Sequence, residues 1–132
     1  PSSREAREEV ERALNEVGMW EFRHRRAEQL SHGQQRRLDL AVTLATEPRL
    51  CFLDEPTSGV SPKERDQMLD LIRSLASARR TTFVIIEHDM ELVFQLCDEV
   101  TVMHRGAVLA EGAPAEIRAN EAVREVYLGE EV

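Results

Sequence analysis

Leu50-Cys51-Phe52-Leu53-Asp54-Glu55-Pro56-Thr57-Ser58-Gly59-Val60-Ser61 is the stretch whose reading decides the fold. Leu50 to Leu53 form a short continuous apolar run without alternation, the pattern of a strand buried on both faces of a parallel sheet. Asp54 and Glu55 stand at its carboxyl end, and in open α/β sheets that end faces the ligand crevice. Strand alternation aims the two acids in different directions, which suits two different roles. A hydrated Mg²⁺ is held through one or two carboxylates plus phosphate oxygens, and a second carboxylate can orient an attacking water. Asp54 is therefore assigned to magnesium and Glu55 to water. On its own, the same run also reads as a strand that ends in two solvated acids before a proline turn. The rest of the chain decides between the two.

A length of 132 residues is enough for one domain with a real core, and 42% hydrophobic residues fits a soluble globular protein. The chain starts at Pro1 rather than a methionine, as a trimmed or excised piece does. No apolar run approaches the length needed to cross a bilayer, and no leader precedes the first helix, so a cytoplasmic setting is expected. A net charge of −8 disfavours nucleic acid and an anionic membrane face as direct partners, while leaving docking on protein open. Cys51 belongs to the apolar strand and Cys97 lies far from it in sequence, so both read as small hydrophobes in a reducing compartment. His24, His32, His88 and His104 show no metal-ligand spacing.

Ser2 to Val17 reads as a surface helix, with Ser2 and Glu5 as a capping box, Ala6, Val10, Ala13, Leu14 and Val17 on one side, and Gly18 as the stop. Met19 to Leu30 is polar and basic in its middle, where Arg23, His24, Arg25 and Arg26 read as a solvated loop or as a contact with phosphate or protein. Ser31 and Gln34 make a second capping box. The helix they open has Leu38, Ala41, Val42 and Ala45 as its expected inward face, and Pro48 forbids continuation. A helix start with a hydroxyl, a glycine and free N–H groups is a ready anion site, and Gly33 lets a phosphate approach the backbone; it is also simply a good N-cap. Pro56 to Ser61 is a turn. Ser61, Pro62 and Glu64 then open a third helix with Met68, Leu69, Leu71, Ile72, Leu75 and Ala76 as its apolar face and Arg79 and Arg80 at its end. Thr81 to Ile86 reads as another buried strand, which delivers Glu87, His88 and Asp89 at the edge where Asp54 and Glu55 are expected. An imidazole there can donate to a phosphate oxygen. Met90 to Cys97 reads as a short helix. Val100 to Met103 and Ala107 to Ala110 read as a hairpin through His104-Arg105-Gly106, Gly112 as a break, and Pro114 as the start of a last helix. Val123, Val126, Tyr127 and Leu128 give the tail enough apolar surface to tuck against the body.

Three modest signals in fixed order are jointly specific. Leu30-Ser31-His32-Gly33-Gln34, then Leu50 to Glu55, then His88 resembles the second half of an ABC-transporter nucleotide-binding domain, over essentially the whole chain. The resemblance implies an α/β fold: part of a P-loop NTPase core with parallel strands, flanking helices and a C-terminal hairpin, and without the phosphate-loop half. It implies the end of a helical subdomain at 1–30, the signature and Walker B half of the core at 31–112, and a C-terminal helix and tail at 113–132. It implies that Ser31, Gly33 and Gln34 belong to the signature motif, Asp54 and Glu55 to the Walker B strand, Pro56 to Ser61 to the D-loop, and that His88 is the switch histidine. It implies ATP and Mg²⁺ as cofactors, a second ATP-binding subunit in a head-to-tail dimer, membrane permease subunits, and a peripheral place on the inner face of the cell membrane.

Within the family, His32, the run Ile86 to Met90 and the run Val123 to Gly129 look like the ATPase subunits of branched-chain amino-acid importers, with those of urea importers nearly as similar. His32 departs from the commoner glycine, and Ser61 stands where many relatives have aspartate. A phosphate loop needs Gly-x-x-x-x-Gly-Lys-Ser/Thr, whereas the single lysine here, Lys63, lies between Pro62 and Glu64. No ATPase is therefore expected from the chain alone, and a non-catalytic binding module or a non-transport ABC ATPase are the competing readings. Strands that lack sheet neighbours expose edges and apolar surface, so domain swapping or oligomerisation is expected.

Overall fold

A computed structural model describes residues 2–78 and 81–128. They fall into two compact units, residues 1–86 and 87–132.

The first unit is built on one βαβ element. Strand β1 (Leu50–Asp54) pairs in parallel with β2 (Thr82–Ile86), in a register that sets Cys51 against Phe83 and Asp54 against Ile86. The connection runs through helix α3 (Pro62–Ala78), since parallel neighbours need a crossover. Met68, Leu69, Ile72 and Leu75 of α3 are buried at helical spacing, and Cys51 is the buried residue of β1. Leu71 is only half-buried and Ala76 is exposed, so the inward face is narrower than the sequence pattern predicts. The position given to Arg79 and Arg80 as the helix end lies outside the described residues.

Two helices precede the sheet. Helix α1 (Ser3–Glu16) carries the expected Ser2/Glu5 capping box and stops at Gly18, whose φ of 69° suits a residue without a Cβ. Ala13 and Val17 face inward while Ala6 and Val10 are exposed, as on a helix that covers a surface with its last turns only. Helix α2 (His32–Leu44) carries the Ser31/Gln34 capping box, but its face is corrected: Gly33, Leu40, Ala41 and Leu44 are buried, whereas Val42 is 65% exposed and Ala45 exposed. Rows of residues seven, eight and eleven apart select one side of a helix, and Val42 lies off it. Between α1 and α2, two 3₁₀ turns (Trp20–Phe22 and Ala27–Gln29) replace the expected simple loop. Met19 is only 2% exposed and anchors this segment, while Arg23 stacks over Trp20 and Arg25 over Phe22.

A second correction concerns the strands. β1 is covered on one face, not on both: Phe52 is 63% exposed, Leu50 and Ile86 are 51% exposed, and Val84 is open on the same side. Alternation puts Leu50, Phe52, Val84 and Ile86 on the side opposite Cys51, and the described residues lay no helix over it.

The second unit holds helix α4 (Met90–Leu96), capped by Asp89, and a hairpin of β3 (Val100–His104) and β4 (Ala107–Gly112). Arg105 and Gly106 both have positive φ, the backbone of a two-residue hairpin turn that follows the strand twist. β4 runs through Gly112, which pairs with Val100, so the expected break comes one residue later. Helices α5 (Pro114–Ala119) and α6 (Glu121–Val123) and a π-helical turn (Arg124–Leu128) complete it. Val93, Val100, Val102, Ile117 and Val123 form its core. The tail tucks in as expected through Val123 and through the Tyr127 hydroxyl, which donates to the Met103 carbonyl, whereas Val126 stays exposed.

Candidate functional site

Asp54 is the last residue of β1 and is exposed, as a strand-end carboxylate must be to meet a ligand. It borders a cavity of about 170 Å³ together with Arg36, Asp39 and Pro56. Glu55 leaves the strand abruptly. Its φ is 46°, a left-handed conformation that costs a non-glycine residue about 1–2 kcal/mol. The turn is held because the Glu55 N–H donates to the Ile86 carbonyl at 2.8 Å and the Ser58 N–H donates to the Glu55 carbonyl at 3.0 Å. Glu55 thus leaves the strand through a left-handed turn rather than through the plain strand alternation that the sequence predicts.

The start of α2 forms the second part. The Gln34 N–H donates to Ser31 Oγ at 3.1 Å, and the Ser31 N–H donates to Gln34 Oε1 at 2.9 Å. Ser31 and Gln34 thus both do capping work. The Ser31 hydroxyl donates in turn to Glu64 Oε1 at 2.7 Å. Glu64 is also the third residue of α3: its N–H donates to Ser61 Oγ at 3.2 Å and its Oε2 accepts from the Ser61 N–H at 3.4 Å. Three capping boxes are present as predicted, and the second and third are joined by one carboxylate. The hydroxyl of Ser31, with smaller contributions from Ser61 and Gly33, holds the Glu64 carboxyl below its ordinary value.

Gly33 is buried and adjoins the same carboxylate: a Cβ there would come within 2.6 Å of Glu64 Cδ. Gly59, at φ 73°, lies under His32, whose Nε2 would be 3.1 Å from an added Cβ. The segment after Leu30 therefore meets the start of α3 through Ser31 and Gly33 on Glu64, and the turn after Glu55 through His32 on Gly59. Ser31, Gly33, Gln34 and Ser61 are brought together, and Asp54 and Glu55 stand together at the strand end. His88 belongs to the second unit, one residue before the α4 cap. Glu64 escaped the sequence reading as a site residue, and Gly59 entered it only as part of the Pro56 to Ser61 segment. The Ser61-x-x-Glu64 spacing is the signal for Glu64, but it discloses only the local cap and not the reach to Ser31.

Residues 2–58 match the ABC transporter family, and residues 107–132 match the branched-chain amino acid ATP-binding cassette transporter family. BraF of Pseudomonas aeruginosa, a high-affinity branched-chain amino acid transport ATP-binding protein, is 46% identical over 98% of this chain and 51% of its own length. The chain belongs to the ABC-transporter ATP-binding family. LivG of Escherichia coli K12, a protein of the same description, is 42% identical over 98% of this chain and 52% of its own length. Among solved ABC ATPases, a component of the Clostridium perfringens cbiONQ transporter complex superposes with a TM-score of 0.85 at 33% identity, covering 98% of this chain and 52% of that one. An ATP-binding cassette in its ADP conformation gives a TM-score of 0.86 at 29% identity, with the same two coverages. The α/β reading as part of an ABC ATPase core is thus borne out, and the chain spans about half the length of the curated relatives it matches. No described helix is long and apolar enough to cross a membrane.

Proposed function

We propose that this chain supplies the signature and Walker B half of the ATP-binding subunit of an importer for branched-chain amino acids. In the intact subunit Asp54 contacts Mg²⁺ through water, Glu55 orients the attacking water, and His88 donates to the γ-phosphate. Ser31, Gly33 and Gln34 complete the site of a second ATP-binding subunit packed head to tail, with Ser61 in the segment that faces it. Permease subunits hold the assembly at the inner face of the membrane.

The observation that carries the reading is the end of β1. An exposed Asp54 is followed at once by Glu55 in a strained left-handed conformation fixed by two backbone hydrogen bonds. Strain of this kind persists where the surroundings over-determine it and clusters at active sites, which supports a functional reading of the two carboxylates. A single hard oxygen donor fits Mg²⁺, which keeps several waters and takes its remaining ligands from phosphates. When bound, the ion neutralises charge on the phosphates. The residues around it position the water and the transferred phosphoryl group, which is most of what phosphoryl transfer asks of a protein. The match of residues 107–132 to a branched-chain amino acid family supports the solute class.

The test is Mg²⁺-dependent ATP hydrolysis in BraF with the corresponding half replaced by this chain. The hybrid is expected to hydrolyse ATP and to restore leucine uptake in cells lacking BraF, and Asp54→Ala to abolish both. An Asp54→Ala hybrid with native turnover would overturn the assignment.

A further inference from the structure

Glu64 lies outside the residues that the sequence assigns to chemistry, yet it ties the two helix starts together. Its Oε1 accepts the Ser31 hydroxyl at 2.7 Å while its Oε2 accepts the Ser61 N–H at 3.4 Å. Its Cδ also occupies the space that a Cβ on Gly33 would need, which sets the carboxylate against the Gly33 backbone. Ser31 Oγ already accepts from the Gln34 N–H, so its proton and one lone pair are both committed. A carboxylate thus stands where α2 turns its free N–H groups outward, where helix starts take anions.

We propose that Glu64 is a positioning residue that fills the anion seat at the start of α2 with its own carboxylate, and that a phosphate contacting Ser31 and Gly33 displaces it. The inference rests on the reading of Ser31, Gly33 and Gln34 as phosphate contacts. Two anions cannot share the seat, because like charges a few ångströms apart repel and the donors there are few. While Glu64 is seated, the start of α2 is bound to the start of α3. When it leaves, α3 and the Pro56–Ser61 turn, which leads directly from Asp54 and Glu55, lose that tether. Phosphate arriving at Ser31 is in this way communicated to the strand-end acids. A neighbouring cavity of about 220 Å³, lined by Gln34, Arg37, Glu64 and Gln67 among others, gives the carboxylate room to move. The Arg37 guanidinium, which donates to Gln67 Oε1 at 2.8 Å, borders that cavity and offers the displaced carboxylate a new partner.

The experiment is a titration of the 132-residue chain with inorganic phosphate, followed through the amide resonances of Gly33 and Gln34, in the native form, in Glu64→Gln and in Ser31→Ala. Glutamine keeps the acceptor that the α3 capping box needs, so the fold is retained while the charge is removed. Glu64→Gln is expected to half-saturate at about tenfold lower phosphate than the native chain, the scale of one like-charge repulsion at a partly exposed site. Ser31→Ala is expected to lose the response. Equal or weaker affinity in Glu64→Gln would overturn the displacement and leave the phosphate reading standing. No phosphate-dependent shift at Gly33 or Gln34 in any of the three would overturn both.

Discussion

Glu55 shows what a single backbone angle contributes. At φ 46° a β-branched side chain is worse placed than an unbranched one, and asparagine tolerates this region best among non-glycine residues. Glu55→Asn is therefore expected to match or exceed the native chain in urea stability, and Glu55→Val to fall below it by about 1 kcal/mol. The reverse order would mean that the left-handed turn is not populated in solution. At Glu64 the relevant lever is pH. Its folded pKa is depressed below 4.5, so its contribution to stability is fully present above that value and is lost as pH falls through the lower folded value. The acid limb of a stability-versus-pH curve is expected to be shallower in Glu64→Gln, and an unchanged limb would contradict the hydrogen bond to Ser31. Cys51 and Cys97 behave oppositely: burial raises both thiols, with Asp98 adding to the rise at Cys97. Their neutral forms favour the fold until pH climbs past the ordinary thiol value of 9.0.

At the scale of elements, the contact between α2 and the turn after β1 is testable as a pair. Gly59→Ala is expected to cost about 1–2 kcal/mol, since φ is 73° and the new methyl group meets His32. In a His32→Ala background the cost should fall, because only the backbone term persists, and simple additivity would show that the two residues do not touch. Ser61→Ala should cost about 1 kcal/mol through loss of the α3 cap, read from the urea midpoint. Much of this level is legible in the chain. Ser2/Glu5, Ser31/Gln34 and Ser61/Glu64 mark helix starts because a cap is a contact between residues three apart. Arg105-Gly106 marks the hairpin for the same local reason. Faces are less legible. Val42 and Ala45 look like core residues and are exposed, and Gly112 looks like a break and is paired. In each case a distant segment decides what covers the residue, and spacing along the chain carries no record of it. The Ser31 to Glu64 bond, 33 residues apart, was hidden for that reason.

At the scale of the molecule, the open face of the β1–β2 pair stands out. Leu50, Phe52, Val84 and Ile86 lie on one side of a two-stranded parallel sheet, exposed to the extent that a monomer tolerates poorly. The chain in isolation is expected to associate with itself in a concentration-dependent manner, weakened by Phe52→Lys, and a sedimentation run showing monomer alone at high concentration would contradict this. The net charge of −8 opposes such association at low salt, so added salt should strengthen it. The family was legible in Ser31 to Gln34, Leu50 to Glu55 and His88 read together, since each motif is local and only their order is long-range.

The most direct measurement is single-turnover ATP hydrolysis beside equilibrium ATP binding, in the BraF hybrid carrying this chain, with Glu55 and with Glu55→Gln. If Glu55 orients the attacking water, the substitution lowers hydrolysis by roughly 10² to 10⁴ while ATP binds as tightly as before. Hydrolysis at the native rate in Glu55→Gln would contradict the account.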